Sequence, residues 1–342
     1  MKRFLNPLNQ KRWKVFCNHR RGYISLWLFL AVFIISLLAD VLANNRPLLI
    51  FYQGKVFTPF INSYPETAFG GELELEPDWQ DDYISQHIEA NGGIIIKALI
   101  PFSYNSINYQ RPAPARPSSE NWLGTDDQGR DVLARALYGL RTSILFGLTL
   151  TLGSTLLGIT AGALQGYYGG AVDLAGQRFL EIWSGLPVLY LLIILSGLID
   201  TGFWSLLIIL LLFSWMPLVD LVRAEFLKAK NYEYVLSARA MGVQTHRIIT
   251  KHILPNALVS TLTYLPFILC GAITTLASLD FLGFGLPAGS PSLGELIAQG
   301  KNNLQAPWLG VTAFVITSSL LILLVFIGEG VRDALDPRII HD

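Results

Sequence analysis

The sequence predicts an all-α polytopic membrane protein with six transmembrane helices and an extracytoplasmic insertion between helices 1 and 2. Three observations carry this. Of 342 residues, 52% are hydrophobic and only 15% charged, against roughly 25% charged in ordinary soluble domains. Asp, Glu, Lys and Arg are absent from residues 22–39, 142–172, 182–199, 201–219, 253–279 and 302–328. Each window reaches the ~18–20 residues with which an α-helix crosses about 30 Å of hydrocarbon, and lipid cannot satisfy a bare backbone, so such runs are helical. Lys and Arg are also unevenly placed along a chain whose formal net charge is zero. A disordered or collagen-like chain is excluded, and a water-soluble enzyme is disfavoured.

Residues 1–21 form a basic cytoplasmic tail, with seven cations (Lys2, Arg3, Lys11, Arg12, Lys14, Arg20, Arg21) and no acid. The first transmembrane helix falls within 22–44, near 24–43. Its apolar run exceeds the 7–15 residues of a signal-peptide core, so it reads as a retained anchor. Residues 45–140 form a periplasmic loop or small domain; 45–141 holds eight basic and twelve acidic residues. Within it, 66–89 is acidic (Glu66, Glu72, Glu74, Glu76, Asp78, Asp81, Asp82, Glu89), the apolar run from Ile94–Ile96 to Pro101 is expected to form a strand, and Arg111–Pro117 reads as an extended linker. A lid or docking surface and a solvated insertion both fit this stretch.

Residues 141–331 make a five-helix core with spans near 143–165, 179–199, 203–222, 257–281 and 308–328, and 332–342 is a cytoplasmic tail. The loop 223–256 carries six basic residues up to 252 (Arg223, Lys228, Lys230, Arg239, Arg247, Lys251) against Glu225 and Glu233. Six spans put this loop and both termini on one side, which the Lys/Arg bias makes the cytoplasm. In the second span Ser154, Gly158, Gly162, Gly166 and Gly170 recur every four residues. That places them on one helix face, where glycine admits a neighbouring backbone, so Gly158, Gly162, Gly166 and Gly170 are expected to pack helices. Pro187, Pro217 and Pro266 fall inside spans three to five and can kink them.

Catalytic and metal chemistry finds no footing. The five histidines have no ligand spacing, HExxH, G-x-S-x-G and G-x-x-x-x-G-K-[ST] are all missing, and the two cysteines, Cys17 and Cys270, suggest no disulfide framework. No phosphate-binding loop exists, so any nucleotide work lies on other chains. Glu181, Asp220 and Asp280 sit near span ends, without the midplane carboxylate–histidine chain of proton-coupled transporters. An ion-coupled secondary transporter of small solutes is the alternative function; it would need intramembrane coupling-ion ligands or inverted repeats, and neither is evident.

The richest segment is Asn231-Tyr-Glu-Tyr-Val-Leu-Ser-Ala-Arg-Ala-Met-Gly242, followed by Val243 to Pro255-Asn256. Tyr232–Met241 is expected to be helical, Gly242 to stop it, and Thr245 to cap a second short helix ending before Pro255. Small residues (Ser237, Ala238, Ala240, Gly242) offer a close-packing surface; an ordinary amphipathic interfacial helix is the plainer reading. The spacing resembles the coupling-loop signature of ABC-importer permeases, E-A-A-x-x-x-G-x9-I-x-L-P, with Leu236, Ser237, Ala238, Gly242, His252, Leu254 and Pro255 in those places. The glutamate and isoleucine positions depart from that pattern, and the variant A-R-A-M-G with H-I-L-P-N resembles the peptide/nickel branch. Trp122–Asp131 with Leu137–Arg141, Leu279–Pro287 and Arg332–Arg338 match the same branch, so the resemblance covers roughly 120–338. It is to the C-type inner-membrane permease, and the outer loop with Gly294–Trp308 is similar to the microcin C/oligopeptide subgroup.

This resemblance implies a type-1 ABC-importer permease fold in a bacterial inner membrane. It implies a heterodimer with a B-type permease, two ABC ATPase subunits that carry ATP–Mg, and a periplasmic peptide-binding protein. The chain itself would bind no cofactor and no nucleic acid, touch membrane lipids, and pass oligopeptides or microcin C-like conjugates. Ser237, Ala238, Arg239, Gly242, Leu254 and Pro255 would be the ATPase-coupling positions; residues 45–115 have no counterpart, and the substrate-contacting residues are unknown.

Overall fold

A computed structural model describes residues 7–196 and 202–336. The first six residues of the basic tail, the end of the expected third span (197–199) and the tail from Pro337 lie outside the described residues. In chain order the helices are α1 (Pro7–Asn18), α2 (Arg20–Leu37), α3 (Ala39–Leu42), α4 (Asp82–Ala90), α5 (Val132–Tyr168), α6 (Gly170–Ser184), α7 (Val188–Ser196), α8 (Phe203–Ser214), α9 (Met216–Ala229), α10 (Glu233–Ala240), α11 (Thr245–Arg247), α12 (Leu254–Leu282), α13 (Leu293–Asn302) and α14 (Pro307–Leu335). Three strands, β1 (Leu49–Tyr52), β2 (Lys55–Phe57) and β3 (Ile94–Ile96), lie between α3 and α5.

Among the described residues, five stretches are long and apolar enough to cross a membrane: Arg20–Leu37, Val132–Tyr168, Phe203–Ala229, Thr245–Leu282 and Pro307–Leu335. The third expected span is not one straight helix: α6 and α7 meet at a 64° bend, and the pair makes a sixth crossing only if it counts as one broken span. The cause is local. Pro187 has no N–H to continue the ladder and disfavours helical geometry at Leu186, and Gly185 ends α6. Pro217 acts more gently, in the first turn of α9. The Leu212 carbonyl there accepts the indole N–H of both Trp183 and Trp215, each at 2.9 Å. Pro266 lies within unbroken α12.

One unit of the chain comprises Met1–Leu30, Ser143–Pro287 and Thr317–Asp342. Its apolar core brings Phe146 and Leu150 of α5 against Leu206, Leu207 and Leu210 of α8 and Ala272, Leu276 and Leu279 of α12. The four-residue stripe lies on the α5 face that meets α9. A methyl group on Gly162 would sit 2.8 Å from both Val219 O and Val222 Cβ, and one on Gly166 2.5 Å from Phe226 Cβ. Gly158 meets Leu218 in the same way, and Ser154 shares a hydroxyl–hydroxyl bond with Ser214. Gly170 corrects the stripe. It begins α6 beyond a turn, with φ +53° and open space where a side chain would go, so it serves the change of chain direction rather than helix packing.

The other unit comprises Ala31–Thr142 and Ala288–Ile316. Its antiparallel sheet runs β2-β1-β3, with Phe51 paired to Val56 on one side and Ile94 on the other. Alternation sends Ile50 and Tyr52 into a core with Phe69, Trp79, Ile84 and Ile88. Asp81 caps α4 by accepting from Tyr83 N. The strand begun at Ile94 ends at Ile96, short of Pro101.

Candidate coupling site

The segment after α9 is held by both backbone and side-chain bonds. Lys230 Nζ donates to Gly166 O at 3.0 Å, joining the end of α9 to α5. Tyr232 adopts extended backbone and starts α10, where Glu233 in the first turn and Arg239 in the last complement the helix dipole. At the other end Gly242 N donates to Arg239 O (3.0 Å) and Val243 N to Ala238 O (3.1 Å). This is the Schellman pattern, and it requires the left-handed φ of +77° that Gly242 adopts. The space around Gly242 is open, so glycine is demanded here by backbone conformation rather than by crowding.

The eight residues of α10 have two unlike faces. Val235 and Ala238, 0% and 3% exposed, enter an apolar cluster with Ala163 and Tyr167 of α5, Val222, Phe226 and Ala229 of α9, and Ile248, Ile253 and Ala257. Leu236 is 47% exposed and Met241 76%, and Ser237, Arg239 and Gly242 lie on the surface beside them. Ala238 therefore departs from the expected contact set: its methyl anchors α10 to the rest of this chain. Arg239 places its guanidinium over the Tyr167 ring, 5.6 Å from the centroid. Tyr234 Oη donates to His252 O (3.4 Å) and accepts from Asn256 Nδ2 (3.1 Å), tying α10 to the following helix.

That following helix differs from expectation. Gln244, not Thr245, occupies the cap position, without a side-chain cap bond. Nor does the helix end before Pro255: α11 continues through one π-helical stretch, Ile248–Ile253, straight into α12. The wider winding sends Leu254 N to Ile249 O, five residues back. It gives the Pro255 ring room and leaves its missing N–H harmless. Leu254 is half-buried against the α10 cluster, while Pro255 is exposed.

Sequence reasoning missed one connection nearby. Arg223 of α9 grips Asp173 of α6 with both ends of its guanidinium, Nε to Oδ1 and Nη2 to Oδ2 (2.7 Å). Their separation of 50 residues left no local signal; the available hint was only that Asp173 is the charge bordering the long uncharged window 142–172.

The Trp122–Asp131 and Gly294–Trp308 motifs meet in a buried charge cluster of the other unit. Arg130 Nε donates to Asp126 Oδ2 (2.7 Å), and Arg135 Nη2 to Glu295 Oε2 (2.7 Å). Asp126 and Arg135 are fully buried. Arg135 also donates to Gly289 O (3.3 Å) and Ser290 O (2.9 Å), fixing the chain that enters α13. Asp131 caps α5 through Ala134 N (2.7 Å) and accepts from Asn121 Nδ2 (2.8 Å). Burial outweighs these bonds and raises its carboxyl above the usual carboxylate range. Asp127 is raised too, by burial and then by the neighbouring Asp126 charge.

Comparison with known proteins places these features in a family. Residues 154–341 match the model for the inner membrane component of binding-protein-dependent transport systems. The chain is 58% identical over 336 residues to the inner membrane ABC transporter permease protein YejE of Escherichia coli (strain K12), covering 98% of each. It is 53% identical to the peptidoglycan transport system permease protein YejE of Agrobacterium fabrum, over 98% of this chain and 94% of that one. It is 35% identical to the oligopeptide transport system permease protein OppC of Haemophilus influenzae, over 78% and 91% respectively. This chain therefore belongs to the family of binding-protein-dependent transport system inner membrane components.

Proposed function

We propose that the chain is a non-catalytic permease subunit of an ATP-driven importer and forms half of a pathway for peptides across a bacterial inner membrane. The peptide class rests on relatives whose names specify peptidoglycan and oligopeptide transport. The mechanical reading rests on α10. An inner side of Val235 and Ala238 locks it into the ends of α5 and α9, while Leu236, Ser237 and Met241 stand outward. A separate ATPase that seats on this outer side would move α10, and the packed inner side would pass the motion to the spans. Such a partner shifts the spans between inward- and outward-open states only by binding one state better. In this arrangement a B-type permease supplies the other half of the pathway. Two ATPases carry the ATP–Mg, a periplasmic protein delivers peptide, both termini are cytoplasmic, and the insertion with β1–β3 is extracytoplasmic.

Uptake of a labelled oligopeptide by the reconstituted assembly is the test. Uptake should require ATP and be abolished by Gly242→Trp, with the complex still assembled in the membrane. A proton gradient that drives uptake without ATP would overturn the proposal.

A further inference from the structure

Residues 1–21 hold cations and no acid, and the fold fixes where the described ones stand. Lys11, Arg12 and Lys14 belong to α1, and Arg20 and Arg21 open α2. His19 lies between the two helices, its Nδ1 accepting from Gly22 N (3.1 Å) and so capping α2. Phe16, His19 and Gly22 converge on α14: a methyl group on Gly330 would sit 3.0 Å from Phe16 Cε2, 3.1 Å from His19 Nδ1 and 3.3 Å from Gly22 Cα. Gly330 follows directly on the uncharged window 302–328 and Glu329, so α1 is fastened at the edge of the hydrocarbon, where headgroups begin. Phe16 is buried there, and Trp13 stacks on it with ring centroids 5.7 Å apart while staying 43% exposed. Lys11, Lys14, Arg20 and Arg21 are exposed. None of them forms an ion pair among the described residues, and Asp333 of α14 is turned to His19 instead, 3.6 Å away. A basic tail orients a chain during insertion; here the folded protein also presents unpaired cations beside an exposed indole at headgroup depth.

We propose that this surface binds anionic phospholipids of the leaflet it touches: Lys11, Lys14, Arg20 and Arg21 take the headgroup phosphates, and Trp13 enters between the lipids. Basic clusters of this size beside a span attract anionic headgroups, each cation strengthening binding about fivefold, and an indole belongs at the boundary between water and lipid. An acidic face of a partner subunit is the other occupant such charges accept. The exposed Trp13 and the fastening to Gly330 at the hydrocarbon edge favour lipid. That the leaflet is the cytoplasmic one rests on the topology proposed above; the charge complementarity does not.

The test is a lipid titration of the purified chain in dodecyl maltoside, with Cys17→Ser and Cys270→Ser to remove the free thiols and a bimane on Asn18→Cys, an exposed position at the end of α1. Dioctanoyl phosphatidylglycerol should bind at least about tenfold more tightly than dioctanoyl phosphatidylcholine, and the preference should vanish in about 1 M salt, where screening acts within about 3 Å. Lys11→Gln with Lys14→Gln leaves Arg20 and Arg21 to hold the orientation and should reduce the preference at least about fivefold. Lys55→Gln with Lys97→Gln removes equal charge from exposed positions of the other unit and should leave it unchanged. Trp13→Ala should weaken both lipids alike. Equal affinity for the two lipids, a preference that survives Lys11→Gln with Lys14→Gln, or binding indifferent to Trp13→Ala would overturn the proposal. A bimane response to the ATPase subunits and to neither lipid would overturn it too, making α1 a protein contact. A failure here leaves the importer reading standing, and a failed uptake experiment leaves lipid binding measurable.

Discussion

Replacing Val235 with alanine removes two methyl groups from the inner side of α10, where Val235 is fully buried among Tyr167, Phe226 and Ile253. Each buried methyl contributes about 0.8 kcal/mol of transfer free energy. The residual cavity brings the loss to roughly 2–3 kcal/mol. Leu236 is the adjacent residue but 47% exposed, so Leu236→Ala should stay within about 0.5 kcal/mol. Native-state amide exchange across residues 233–240 of the purified chain reads both. Val235→Ala should accelerate exchange by roughly 30-fold, the equivalent of about 2 kcal/mol, and Leu236→Ala should leave it within about twofold of the parent. Equal acceleration by the two variants would mean that α10 has no fixed inner side, and the mechanical argument would lose its anchor.

Other consequences are equally measurable. Gly162→Leu forces atoms into the α9 backbone, with even its first carbon 2.8 Å from Val219 O, and should sharply reduce folded yield in a detergent-solubility assay. Gly170→Ala meets open space at φ +53° and should cost only the roughly 1–2 kcal/mol of left-handed backbone. Arg223→Asp alone should destabilise the chain by about 1–3 kcal/mol through the lost charged bonds, and adding Asp173→Arg should restore part of it in a thermal unfolding series. For Asp131, burial raises the folded carboxyl above its unfolded value. Its contribution is then fully present below the ordinary carboxyl value of about 3.9 and lost as pH rises through the raised one. The stability of the parent relative to Asp131→Asn should thus improve as pH falls from neutrality toward about 4; a pH-independent difference would contradict this.

Span positions were legible because uncharged windows of membrane length leave a backbone no alternative to helix. Their continuity was not. Pro187 and Pro217 look alike in the sequence, yet one accompanies a 64° bend and the other lies within a stretch, Phe203–Ala229, that stays one span. What differs is the neighbouring chain, which sequence does not supply. Gly170 satisfied the four-residue spacing but stands just past the end of α5, and a periodic pattern carries no mark of where its helix stops. In α10 the small residues disclosed close packing without its phase: Ser237 and Ala238 are chemically similar, and only the positions of Tyr167 and Phe226 decide which faces inward. The hairpin β1–β2 went unread because its turn is Gln53-Gly54, both at positive φ. Asn-Gly at the same place would have announced it. Pro255 suggested a helix end because an ordinary α-helix rejects proline, whereas the π-helical stretch before it absorbs the ring.

The central claim, that the outer side of α10 receives a partner while its inner side belongs to this chain, is tested most directly by thiol labelling. Cys17 and Cys270 are both free and would be replaced by serine beforehand. In that background Ser237→Cys should react with a maleimide on the isolated subunit and become protected once the ATPase subunits assemble. Ala238→Cys, 3% exposed in the parent, should stay unreactive in both. Equal labelling of Ser237→Cys with and without the ATPases would contradict the account.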